Sequence, residues 1–188
     1  MRTKAQMRVG ILLALLLSTS VTVCQSHHEA KLPRFEDYAL QEGWDGTAVP
    51  VKLQTRSDRE FRTQFRNAAK EPPNFAGHYR VTTWGCGTDC LQGGIVNLLT
   101  GELLPLPHSK IWSEKGGFGK WALCGFVTGG KYDQVVQTRP TSRLLIVNCS
   151  DAYGTGPHSG TYLRTSYFVF ENGEFRKIAE HIGRERVI

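Results

Sequence analysis

The chain has 188 residues, 23 Lys/Arg against 17 Asp/Glu for a formal net charge of +6, and five cysteines. It is long enough for one domain with a sizeable core, and too rich in Gly, Thr, Tyr, Phe and Val to be a disordered chain. The basic surplus forms no Lys/Arg stripe and no aromatic-basic interleaving, which argues against a nucleic-acid partner.

The first element is a targeting segment. Arg2, Lys4 and Arg8 form a basic start, and Val9 to Leu17 is a nearly unbroken apolar run. Small or polar residues near Cys24-Gln25-Ser26 offer a cleavage site, so a signal peptide is expected over 1–26. The apolar run is shorter than the ~20 residues a spanning helix needs, and charges or glycines interrupt every later one, so no membrane span is expected. Val21-Thr22-Val23-Cys24 is similar to the lipobox of bacterial lipoproteins. Val23 stands where that pattern wants Gly, Ala or Ser, which disfavours a lipid anchor at Cys24. Residues 1–26 hold three basic and no acidic residues, so half the net charge belongs to the targeting segment.

Residues 27–56 read as an irregular arm, with Pro33, Gly43, Gly46 and Pro50 set against a helix. The domain expected over 57–188 opens with one amphipathic helix from about Asp58 to Lys70. Ser57 and Glu60 have capping-box spacing, Phe61, Phe65 and Ala68-Ala69 recur at helical period, and Pro72-Pro73 ends the segment.

About eight strands follow. Phe75 to Trp84 is dense in β-formers. Gly94 to Leu99 and Glu102 to Leu106 flank the hairpin signal Thr100-Gly101. Trp121 to Thr128 and the weaker Tyr132 to Gln137 come next, then the apolar run Arg143 to Cys149, suited to a buried strand. Thr161 to Phe170 and Glu174 to Ile178 are joined through Asn172-Gly173, a strong hairpin signal. The fold class expected is mainly β (α+β): an N-terminal helix and about eight strands in two packed sheets or a partly closed barrel.

Export and an even set of four remaining cysteines favour a disulfide-braced domain. The four allow three connectivities, and Cys86–Cys90 with Cys124–Cys149 is the preferred one. A redox reading of Cys86 and Cys90 has three intervening residues where thioredoxin-like enzymes have two. A metal reading would add His78 or His108 to the two thiolates. No catalytic motif is present: Ser142 lacks the Gly-x-Ser-x-Gly elbow, and Asp151 to Gly160 is glycine-rich without the Gly-Lys-Ser/Thr of a phosphate loop. No cofactor and no metal site are expected.

Asn74-Phe75-Ala76-Gly77-His78-Tyr79, Trp84-Gly85-Cys86-Gly87-Thr88-Asp89-Cys90 and Thr100-Gly101 stand in that order. The strand Ser142-Arg143-Leu144-Leu145 and the hairpin Phe170-Glu171-Asn172-Gly173 follow. The set resembles a group of small exported bacterial proteins of unassigned function. The resemblance covers about residues 58–180, implies a periplasmic or cell-envelope location, and brings no catalytic residue with it.

Two function classes result. The first is an exported interaction or binding protein, of inhibitor or immunity type for example, whose partner is an envelope protein, a glycan or a small ligand. Its working surface is expected on the Gly85–Asp89 turn and the Asp151–Gly160 loop, with His78, Asp89 and His158 as binding residues. The second is a periplasmic redox or metal-handling protein or enzyme using Cys86, Cys90 and His78.

Overall fold

The computed structural model describes residues 31–40, 44–87, 90–107, 119–124, 135–153 and 160–184. The expected signal peptide, Cys24, Asp89, His108 and His158 lie outside the described residues. A short 3-10 helix, Phe35–Tyr38, interrupts the arm that was expected to be irregular. Two short helices follow, α1 (Arg56–Glu60) and α2 (Arg62–Ala68).

The single expected helix is therefore broken at Phe61, whose ψ of 21° leaves the helical range. The capping box also sits earlier than Ser57 and Glu60. Thr55 Oγ1 accepts from the Asp58 amide at 3.1 Å, and Asp58 Oδ2 accepts from the Thr55 amide at 2.9 Å. The tertiary partner decides between the two boxes: Asp58 is 2% exposed and its other oxygen accepts from Lys120 Nζ at 3.2 Å. The break aims both aromatic residues of the segment at the sheet. Phe61 lies 5.2 Å from Trp84 between ring centroids, and Phe65 lies 5.4 Å from Trp84 and 4.7 Å from Trp121.

Eight strands form two antiparallel sheets, and the described residues close no barrel. In the first sheet β1 (Tyr79–Gly87) pairs with β2 (Cys90–Asn97) from Tyr79↔Asn97 to Gly87↔Cys90, with a bulge between Gly85 and Gly87. The other edge of β2 carries β3 (Leu103–Pro105) and then β4 (Ala122–Cys124). β2 is buried along its whole length, as the centre of a covered sheet must be. It begins at Cys90, four residues before the Gly94 start expected from sequence. Gly93 and Gly94 serve packing: a Cβ on Gly94 would lie 2.8 Å from the Phe65 ring and 3.0 Å from Trp121, and one on Gly93 would lie 2.8 Å from the Thr82 carbonyl.

The second sheet has the order β5 (Val136–Gln137), β6 (Leu144–Tyr153), β7 (Gly160–Glu171), β8 (Glu174–Arg184). β6 and β7 are longer than the sequence suggests. Asp151–Tyr153 and Gly160 pair as strand residues and so are not part of a loop as expected, while 154–159 lie outside the described residues.

Strand alternation sends Leu145, Val147, Cys149 and Phe170 to one face of this sheet, where they pack with Val81, Leu91 and Ile95 of the first and with Phe75, which precedes β1. Phe65 and Ala68 of α2 cover the opposite face of the first sheet with Val96, Leu98 and Trp121. The outer face of the second sheet holds Leu144, Tyr167 and Val169 against Phe35 and Tyr38 of the 3-10 helix. Side chains such as Phe65, Phe75 and Ile95 are fully buried, each worth on the order of 2–3 kcal/mol.

Two disulfides brace the layers. Cys124–Cys149 joins β4 to β6 and so ties one sheet to the other, with Cα atoms 5.6 Å apart. Cys86–Cys90 links the two strands where β1 passes to β2, with Cα atoms 5.1 Å apart. Among the described residues no helix is long and apolar enough to cross a membrane.

Candidate functional site

Three segments far apart in sequence meet at one end of the sheets. The first is Asn74 to Tyr79. Asn74 grips β1 through its side chain, accepting from the Val81 amide at 2.7 Å and donating to the Val81 carbonyl at 3.0 Å. The chain then turns through Ala76 and Gly77, with φ of 43° and 81°. For Ala76 this is an uncommon conformation, one that persists only where surrounding contacts hold it. They do: the Ala76 amide donates to the Ser142 carbonyl at 3.1 Å, and the Gly77 amide to the Pro140 carbonyl at 2.7 Å. This turn is also why β1 starts at Tyr79 and not at Phe75, where the strand was expected to begin.

The second segment is Pro140 to Leu145. Ser142 is 1% exposed and its hydroxyl bonds to the carbonyls of Phe35 at 2.8 Å and Tyr38 at 3.2 Å, while accepting from the Leu144 amide at 3.2 Å. The serine is a structural knot that docks the arm, consistent with its lacking a nucleophile motif. Beside it, the Leu40 amide donates to the Thr141 carbonyl at 2.8 Å.

The third segment is the β7–β8 hairpin. Asn172 and Gly173 have φ of 53° and 84°, the pair of positive values a tight two-residue hairpin requires.

Between these segments lies an open cleft of about 570 Å³. Tyr79, Phe170, Leu40 and Ala76 supply its apolar wall; Arg143, Glu171, Asn172 and Gly173 supply its polar side. The Tyr79 and Phe170 rings meet edge to face at 4.8 Å. Burial, with the Glu102 carboxylate adding to it, raises the Tyr79 phenol, which stays neutral at physiological pH. Arg143 Nη1 donates to Glu171 Oε1 at 3.1 Å, and Arg176 Nη2 lies 3.5 Å from the second Glu171 oxygen. The ionisable groups lining the cleft are thus a guanidinium, a carboxylate already paired with two guanidiniums, and a neutral phenol. That set suits holding a ligand more than activating a nucleophile.

Of the three binding residues expected from sequence, His78, Asp89 and His158, only His78 lies among the described residues. Its imidazole lies 4.4 Å from the Tyr79 ring but is not part of the cleft lining, and burial lowers its pKa. Seven residues of β1 lie between it and Cys86, eight strand steps or roughly 25 Å, so the structure does not bring His78 to the cysteine pair. Cys86 and Cys90 are bonded to each other, so the pair stands in its oxidised form and offers no thiolate to a metal in this state. No cluster of three metal-ligating side chains occurs among the described residues.

Sequence reasoning passed over Arg143, Glu171, Tyr79 and Leu40. The available signal was the neighbourhood of Arg143 and Glu171, each inside a segment already singled out. What was hidden is that those segments touch. A second, smaller pocket of about 150 Å³ has Lys52, Gln54, Glu102 and the helix-capping pair Asp58–Lys120 in its lining.

The chain matches no family model, no curated protein and no solved structure.

Proposed function

We propose that this protein is an exported, disulfide-braced binding protein of the periplasm or cell envelope, and that its ligand site is the Arg143–Glu171 cleft. One observation carries the reading: three sequence segments are fixed around a single cleft by backbone hydrogen bonds, on sheets tied together by Cys124–Cys149. A preorganised wall loses little conformational freedom on binding, and binding residues carried on connections of a rigid scaffold are the common arrangement. The basic start and short apolar run of residues 1–26 support export, as does the resemblance to small exported bacterial proteins.

Three measurements test this. N-terminal sequencing of the periplasmic or secreted product should begin near residues 24–27, and a cytoplasmic product retaining Met1 removes the export claim. Amide chemical-shift mapping with soluble peptidoglycan fragments, neutral oligosaccharides and short peptides should give perturbations clustered at Leu40, Tyr79 and Glu171–Gly173. Perturbations confined to the Cys86–Cys90 end of β1 and β2 would move the site there. Thiol titration of the native protein without reductant separates this reading from a redox or metal-handling one. No free thiol is expected among Cys86, Cys90, Cys124 and Cys149, and two or more would favour the alternative.

A further inference from the structure

The Arg143 guanidinium is held ready but is only partly used. Its backbone is fixed on both sides, the amide donating to the Tyr38 carbonyl at 3.0 Å and the carbonyl accepting from the Phe170 amide at 3.0 Å. Its side chain, 39% exposed, makes one hydrogen bond among the described residues, from Nη1 to Glu171. A guanidinium carries five N–H donors in a planar fork, so four are uncommitted in a cleft that Leu40, Ala76, Tyr79 and Phe170 also line. The planar fork matches a carboxylate through two parallel hydrogen bonds.

We propose that the cleft takes a carboxylate-bearing ligand, its carboxylate on the unused fork of Arg143 and its apolar part against Leu40 and Tyr79. The proposal rests on the cleft being the binding site. A volume of about 570 Å³ suits a small organic acid or the last residues of a peptide ending in a free carboxylate. A dianionic phosphate fits less well, because Glu171 lines the cleft and Glu174 stands directly opposite it across the hairpin. A cationic ligand finds both oxygens of Glu171 already facing guanidinium groups. In this arrangement Glu171 is an internal competitor: it holds one edge of Arg143, and a bound carboxylate takes the rest.

The test titrates the processed protein with 3-phenylpropionate and with N-acetyl-Ala-Phe, each against its carboxamide, with phenyl phosphate and chitotriose as further probes. Amide shifts report the location. Both acids should perturb Arg143 and Glu171–Gly173 and bind at least about tenfold more tightly than their amides. Tighter binding of the peptide acid than of the small acid assigns a peptide C-terminus as the source, and the reverse assigns a free acid. Arg143→Lys keeps the charge but not the fork and should lose about tenfold; Arg143→Met should erase the difference between acid and amide. Glu171→Gln removes the competitor and should tighten binding of the acids several-fold, a gain that a purely structural ion pair would not produce. Amides binding as well as acids at the cleft, phenyl phosphate binding best, or Glu171→Gln weakening the acids each overturns the carboxylate proposal while leaving the cleft as a site. If no probe of any kind shifts the cleft residues, the binding reading of the cleft falls with it.

Discussion

Asp58 and His78 show how single side chains tie stability to pH. Burial alone would raise the Asp58 carboxyl, but hydrogen bonds from Thr55 and the Lys120 ammonium outweigh it and hold the group below its ordinary value of 3.8. The stability that this provides is complete above about pH 4 and is lost as pH falls through the lowered folded value. Asp58→Asn should cost about 2 kcal/mol, seen as a lower urea midpoint at unchanged slope. His78 acts in a higher window. Its folded pKa lies below 6.5 because burial disfavours the imidazolium, so the unfolded chain binds the proton first. Stability from this source is intact above pH 6.5 and declines as pH drops beneath it. The urea midpoint should fall as pH drops below 6.5, and His78→Gln should flatten that part of the profile. Parallel profiles for the two proteins would show that His78 is not the cause.

At the level of elements, β2 is the strand most constrained by its neighbours. Gly94→Ala drives a methyl into the Phe65 and Trp121 rings, which are fully buried and have no room to yield. A loss of about 1–3 kcal/mol is expected. Gly85→Ala, at the other end of the same hairpin, meets nothing within 4 Å and should stay within about 0.5 kcal/mol of the parent. Thermal melts of the two variants check this, and equal losses would mean that glycine flexibility, not packing, matters in β2. Gly101 plays a different part, since its φ of 74° closes the turn between β2 and β3 while Pro50 of the arm packs against it. That turn and the Asn172-Gly173 hairpin announce themselves in sequence because the left-handed conformation is a local demand. Gly93-Gly94 does not, because its demand comes from residues remote in the chain.

For the whole molecule, the disulfides set unequal constraints. Cys124 and Cys149 are 25 residues apart and cross between sheets; Cys86 and Cys90 are 4 apart within one hairpin. Chain-entropy reasoning gives about 3.5 kcal/mol for the longer loop and about 2 kcal/mol for the shorter. Cys149→Ser should therefore lower the denaturation midpoint more than Cys90→Ser, and it also leaves a buried hydroxyl where a half-cystine was. A reversed order would argue that the hairpin end of β1 and β2, not the sheet-to-sheet tie, limits unfolding.

By itself the sequence determined the β-rich class, the two-residue turns and that a helical segment stands near residues 58–70, where the fold has α1 and α2. These follow from side-chain period, from proline and glycine, and from local backbone demands, all of which act over a few residues. The preferred disulfide pairing was one of three that sequence allowed, and proximity in the fold selected it. Tertiary structure alone decided where α1 ends, which of two capping boxes forms, and that β2 begins at Cys90. Each depends on a partner far along the chain: Lys120 for Asp58, Trp84 for Phe61, Phe65 and Trp121 for Gly94. The cleft is the extreme case. Tyr79, Arg143 and Glu171 are ordinary residues in their own segments, and they become a site only because the Ala76-Gly77 turn bonds to Pro140 and Ser142, and because the Arg143 carbonyl pairs with Phe170. Such contacts join backbone atoms, whose chemistry is the same in every residue, so no pattern of side chains records them.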